Sequence, residues 1–252
     1  MQRKGLVRTM AQERLDKIIA SMGRYSRREV KQLIKEGLVL VDGKIARSAE
    51  EKYDAETAEI TVSGETLSYR RFTYVMLHKP AGVLSATEDG RGETVLDLLP
   101  KEYRKMGLFP VGRLDKDTEG LLLLTNDGET AHDLLAPKKH VDKVYFTRVF
   151  GTLTQSDCDA FAAGMTLRDG LVCQSAGLRI LSAGQESEAL VTIREGKFHQ
   201  IKRMLAERGK PVLYLKRLQM GPLKLDDALH IGEFRLLTPQ EIEQIAHRQS
   251  NQ

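Results

Sequence analysis

The sequence predicts an α+β protein of two domains, a small α/β module followed by a larger domain on a mixed, mainly antiparallel sheet. Strand signals recur at wide spacing with helical segments between them, the pattern of that class. Charge divides the chain as well. Residues 1–48 hold twelve Lys/Arg against five Asp/Glu, whereas residues 73–252 hold twenty-four of each. A positive field gathered at one end suits a region that grips a polyanion while the rest does something else. A basic segment that serves solubility alone is the competing reading. A chain of 252 residues with 41% apolar content buries one good core plus a small satellite domain.

Residues 1–10 are basic with little pattern and are expected to form a mobile tail, with Met10 an alternative translation start. The first domain is expected over 11–68. Leu15, Ile18, Ile19 and Met22 follow the i, i+3, i+4, i+7 spacing of an amphipathic helix, which Gly23 ends. Ser26-Arg27-Arg28-Glu29 is a capping box, so a second helix begins at Arg27 and runs to about Glu36, with Gly37 as its stop. Arg27, Arg28, Lys31 and Lys35 form a cationic stripe on it, while Val30, Leu33 and Ile34 point to a core. Leu38–Val41, Asp42-Gly43 and Lys44-Ile45 read as a hairpin, and Glu59–Val62 before Ser63-Gly64 as another strand and turn. Two helices followed by short strands resemble the S4 RNA-binding fold. A helix start flanked by Arg24, Arg27 and Arg28 is a ready phosphate site, and contacts of this kind read backbone and shape.

The second domain is expected over 72–248. Tyr74–Leu77 opens it as a strand, and Lys79-Pro80-Ala81-Gly82 turns the chain. On an extended strand Arg113 and Asp115 share a face, and Leu121–Leu124 then form a strand buried on both sides. Thr125-Asn126-Asp127-Gly128 supplies turn and cap residues before a helix over 130–135 that ends ahead of Pro137. Asp142–Phe150 alternates as a strand with Lys143, Tyr145 and Thr147 on one face. A helix is expected over 154–164, a strand over Leu190–Ile193, a break at Glu195-Gly196, and a helix over Phe198–Arg208. An acid held between a basic neighbour and a rigid buried strand makes Asp115 a candidate catalytic carboxylate; an ion pair with Arg113 at a strand end fits the same residues.

Several chemistries are disfavoured. Cys158 and Cys173 have no metal-ligand or C-x-x-C spacing, and the six histidines form no H-x-E or H-E-x-x-H cluster. No metal site is expected. There is no G-x-x-x-x-G-K-[ST] loop, no apolar stretch long enough to cross a membrane and no signal-peptide pattern. A reducing cytoplasm is the expected compartment.

The segment GRLD-x-D-T-x-G-L-x-L-L-T-x-D-G at 112–128 resembles the signature of the pseudouridine synthases that act on ribosomal RNA. It is most similar to the branch typified by ribosomal small subunit pseudouridine synthase A. HKPAGVLSATED at 78–89 and REGKFHQIKRM at 194–204 fit in the same order, although His78 stands where the family usually has Asn. The resemblance implies a cofactor-free isomerisation in which the glycosidic bond breaks, uracil turns, and carbon joins carbon. It implies Asp115 as the catalytic carboxylate near the ribose C1′, Tyr145 stacked on the target uracil, and Lys202 as the partner of Asp115. Arg113 would hold the RNA backbone or the flipped nucleotide, and Arg203 would contact RNA. Lys197 and Arg203 are alternative sources of the charge facing Asp115, and His199 is expected to be structural. The wording H-Q-I-K-R-M points to 16S ribosomal RNA, free or in a partly assembled small subunit. The alternatives are 23S ribosomal RNA and a non-catalytic RNA-binding assembly factor. A monomer is the default, since no long self-complementary apolar pattern occurs.

Overall fold

The computed structural model describes residues 12–246, apart from Ser68, Pro137 and Lys138. The expected tail over 1–10 lies outside the described residues, as do residue 11 and residues 247–248 of the expected domains. The chain divides into two compact units, one running to Thr73 and including Pro100–Gly107, the other formed by Tyr74–Leu99 and the chain from Leu108 onward.

In the first unit β1 (Glu13–Arg14) leads into α1 (Leu15–Ser21), and α2 (Arg27–Lys35) follows. The capping box forms as predicted: the Glu29 amide donates to Ser26 Oγ at 3.3 Å, and the Ser26 amide donates to Glu29 Oε2 at 2.6 Å. β2 (Val39–Val41), β3 (Lys44–Ile45), β4 (Lys52–Tyr53), β5 (Ile60–Val62) and β6 (Glu65–Leu67) complete it, with α3 (Lys101–Lys105) contributed by the later segment. The sheet order is β3-β2-β5-β6, all antiparallel, and β1 pairs with β4 apart from it. Both tight turns carry a left-handed pair, Asp42 (φ 51°) with Gly43 (φ 74°) and Ser63 (φ 52°) with Gly64 (φ 84°), which matches the twist of the flanking strands. Leu15, Ile18, Ile19, Val30, Val39 and Ile60 close the core.

The second unit contains β7 (Tyr74–Lys79), β8 (Phe109–Pro110), β9 (Glu119–Thr125), α4 (Gly128–Leu135), β10 (Lys143–Phe150), α5 (Gln155–Ala163), β11 (Met165–Thr166) and β12 (Val172–Cys173). β13 (Gly177–Ser182), β14 (Glu186–Ile193), α6 (Gln200–Glu207), β15 (Val212–Met220), β16 (Leu223–Lys224), β17 (Phe234–Leu236) and α7 (Pro239–Ala246) follow. Its main sheet runs β13-β14-β10-β15-β9-β7-β17, with β16 beside β15 and β8 beside β9. Only the β15–β9 pairing is parallel among the described strands, so the sheet is mixed and mainly antiparallel as expected.

Leu121–Leu124 are all buried on β9, an interior strand of the sheet, so side chains on both of its faces are covered, which explains their unbroken apolar run. At the parallel crossing, Gly120 has φ +107° and a Cβ there would lie 2.2 Å from the Arg217 carbonyl oxygen, so no larger residue fits. Sequence patterning supplies no element over 209–246, yet β15 is central. Its alternation is masked by Arg217, which is buried and donates from Nε to the Leu121 carbonyl at 2.7 Å.

Candidate active site

Asp115 lies in Val111–Thr118, an irregular segment between β8 and β9. This corrects the expectation of a strand carrying Arg113 and Asp115. The alternation survives, with Arg113 exposed, Leu114 buried and Asp115 half-buried. The backbone is held by side chains instead of by a ladder. Ser85 Oγ accepts from the Leu114 amide at 3.1 Å and donates to the Leu114 carbonyl at 2.9 Å. Lys79 Nζ, fully buried at the end of β7, donates to the carbonyls of Pro80 (2.9 Å), Asp115 (3.2 Å), Lys116 (3.3 Å) and Thr118 (3.0 Å). Burial pushes this ammonium down to about 8, and the surrounding carbonyls suit its charged form. The stretch from His78 to Ser85 is therefore the cradle of the Asp115 segment. The sequence marks Lys79 only as the start of a turn, because its role runs through backbone carbonyls, which have no sequence signature.

The Asp115 carboxylate meets α6. Lys202 Nζ lies 3.0 Å from Asp115 Oδ2 and 2.5 Å from Asp117 Oδ1, while Arg113 makes no ion pair among the described residues. The ion pair expected at a strand end is thus replaced by one between a loop and a helix. Burial works against the Lys202 ammonium, yet its bonds to Asp117 and Asp115 outweigh that and leave it above the usual lysine value. The same bond from Lys202 holds Asp117 below the usual carboxylate range.

His199 is drawn in too. Its Nε2 lies 3.6 Å from Asp115 Oδ1, beyond a good hydrogen bond but in direct contact. It precedes α6 with φ 50°, a left-handed conformation that costs a non-glycine residue about 1–3 kcal/mol and marks functional sites. The purely structural role expected of His199 therefore understates its position. The H-Q-I-K spacing contained the signal, because one helical turn brings His199 and Lys202 to the same side.

Tyr145 projects from β10 into the same cleft, which Arg113, Asp115, His199, Lys202 and Leu215 also line. The residue is buried, 7% exposed. Lys143, two residues earlier on the same face, turns into the interior and donates to the Val141 and Arg194 carbonyls. The two alternative cations are engaged elsewhere: Lys197 pairs with Glu195 at 2.9 Å, and Arg203 pairs with Asp169. Among the described residues no group of three or more His, Cys, Asp or Glu is placed to hold a metal.

In the first unit the stripe on α2 is exposed but not uniform. Lys31 pairs with Glu50 at 3.2 Å and Arg24 with Glu65 at 2.6 Å, whereas Arg27, Arg28 and Lys35 make no ion pair among the described residues.

Residues 73–207 match the family model described as RNA pseudouridylate synthase, and residues 13–58 match the S4 domain. The chain belongs to the RNA pseudouridine synthase family. This synthase is 48% identical to an uncharacterized RNA pseudouridine synthase of Bacillus subtilis over 91% of its own length and 96% of that protein. It is 38% identical to ribosomal small subunit pseudouridine synthase A of Vibrio cholerae over 92% of this chain and 99% of that one. It is equally 38% identical to ribosomal large subunit pseudouridine synthase B of Bacillus subtilis, over 92% and 95% of the two chains. A crystal structure of a pseudouridylate synthase superposes with a TM-score of 0.65 at 34% identity, covering 92% of the synthase and 99% of that chain. The synthase is an isomerase with an S4 RNA-binding domain ahead of its catalytic domain.

Proposed function

We propose that the enzyme isomerises one uridine of ribosomal RNA, in the 16S molecule of the small subunit. The observation that carries the reading of the site is the 3.0 Å pair between Asp115 and Lys202 at the floor of a cleft that also holds Tyr145. In the reaction the N1–C1′ bond breaks, a C5–C1′ bond forms, C5 gives up a proton and N1 gains one, so substrate and product are isomers. Asp115 acts at C1′ with Lys202 as its counter-charge. Tyr145 stacks on the freed uracil and is placed to help move the C5 proton. Arg113, exposed beside Asp115 and without an ion pair among the described residues, holds the flipped nucleotide, and Arg203 adds an outer contact. Arg24, Arg27, Arg28, Lys31 and Lys35 of the first unit grip the RNA backbone, and the enzyme acts as a monomer, a reading supported by the lack of a long self-complementary apolar pattern in the sequence. Acting on ribosomal RNA during assembly, the enzyme works in the cytoplasm.

The 16S reading is supported by the H-Q-I-K-R-M wording of 199–204. The 23S alternative draws support from the equal identity to the large-subunit enzyme. Single-nucleotide pseudouridine mapping of unmodified 16S and 23S RNA, free and in partly assembled subunits, separates them. One new site in 16S RNA with wild type and none with Asp115→Asn is the expected result. A site in 23S RNA overturns the small-subunit reading, and no site in either overturns the ribosomal one.

A further inference from the structure

Phe198 is 75% exposed, the highest value among the large hydrophobic side chains described. It is not a loose surface residue. Its ring stacks on the His199 imidazole with centroids 3.8 Å apart and planes inclined by 20°. The backbone that carries it is pinned on both sides. Buried Gln200 accepts from the Lys197 amide at 3.1 Å and donates to Glu195 at 2.6 Å, and Arg203 Nη1 donates to the Phe198 carbonyl at 3.4 Å. One face of the Phe198 ring is thus covered by His199, which itself lies against Asp115. The rest of the ring is left to solvent between the cleft-lining residues Lys197 and His199 in the chain, with Arg203 one turn of helix further on.

A rigid aromatic face next to cationic side chains is what an unpaired base stacks on, and such stacking tolerates any base. Nothing in the isomerisation itself requires an aromatic outside the cleft. Exposing an aromatic ring to water on a pinned backbone also contributes nothing to the core.

We infer that Phe198, backed by His199, is a stacking platform for the base of the nucleotide adjoining the target uridine. The inference rests on the functional reading above and deepens it. The flipped uridine enters the cleft at Asp115, its neighbour loses a stacking partner in the RNA, and the outer face of Phe198 replaces that partner. Phe198 then positions the RNA without touching the reacting atoms.

The test uses the full chain carrying Asp115→Asn, which holds RNA without turnover, and the mapped RNA segment with 2-aminopurine placed 5′ or 3′ of the target uridine. Binding should quench fluorescence at one of the two positions. Adding Phe198→Ala or Phe198→Leu should abolish that quench, and Phe198→Trp should restore it. In the protein with Asp115 intact, Phe198→Ala and Phe198→Leu should lower kcat/KM roughly 5- to 100-fold, with Phe198→Trp near wild type. Equal fluorescence with and without the ring at both positions, or unchanged kcat/KM in Phe198→Ala, overturns the inference. The parent reading fails differently. Turnover by Asp115→Asn sinks the carboxylate assignment alone, and a wild type that isomerises no RNA sinks both.

Discussion

The Lys79 ammonium and the Asp115 carbonyl, 36 residues apart in sequence, meet at 3.2 Å beneath the cleft. The same ammonium takes the carbonyls of Lys116 and Thr118, so one buried charge shapes the whole turn that presents the Asp115 carboxylate.

Lys79→Met should therefore destabilise the protein by about 2–4 kcal/mol, since it strands several buried carbonyls. Urea unfolding gives that number, and hydrogen exchange of the 115–118 amides should accelerate together with loss of turnover. An unchanged exchange pattern would show that the segment keeps its shape without Lys79.

The pH dependence of that stability follows from burial, which lowers Lys79 from 10.5 to about 8. Between those values the unfolded chain holds more protons than the folded one, so this group's contribution to stability rises with pH across the window. Below about 8 both states are charged and the full burial cost is present. The stability gap between wild type and Lys79→Met should widen from pH 7.5 to about 10. A gap that narrows would mean that the carbonyl bonds outweigh burial.

At the reacting end, Asp115→Asn should reduce single-turnover pseudouridine formation by about a thousandfold or more while RNA affinity changes little. Lys202→Met leaves Asp115 without its cation and should cost about a hundredfold in rate. Full activity in Lys202→Met would remove it from the mechanism.

At the far edge of the second unit, Arg235 grips Glu241 in a two-pronged contact, with both distances 2.8 Å. That bond lowers Glu241 from 4.5 to about 2. A carboxyl depressed in the folded state stabilises above its unfolded value and loses that contribution as pH falls through the folded one. Wild type should exceed Glu241→Gln by about 2 kcal/mol at neutral pH, with the difference fading from pH 4.5 down to about 2. Acid titration followed by circular dichroism measures it.

RNA affinity should fall with salt, and the triple variant Arg27→Ala, Arg28→Ala, Lys35→Ala should reduce the slope of log K against log salt by roughly 0.7 per charge removed. Lys31 is already paired with Glu50, so Lys31→Ala should change the slope less than any of those three. Equal slopes for the triple variant and wild type would end the case for α2 as an RNA grip.

Much of this was legible in the amino-acid order. The capping box, the two left-handed turns, the buried run Leu121–Leu124 and the cap at Asp127 are local signals, and each formed where its residues stand. The motif at 112–128 carries the family resemblance in its residues alone. β15 escaped because a buried arginine imitates an exposed one until its partner carbonyl is known. The extended segment at 113–115 reads like a strand because alternation records which side is buried, not what the backbone is bonded to.

Local order along the chain, then, determined most elements up to residue 208, the basic first domain and the choice of Asp115 as candidate carboxylate, because caps, turns and periodicity act over a few residues. The resemblance implied Lys202 as the partner of Asp115, but only the tertiary structure decided how that pair is built, that Asp117 shares Lys202 and that His199 joins it. Arg113 is two residues away and lines the same cleft yet makes no ion pair among the described residues, while Lys202 and His199, more than eighty residues on, meet Asp115. The physical reason is that charge pairing at a half-buried carboxylate depends on distance through space, and the sheet order that brings α6 to this segment is set by burial across the whole unit.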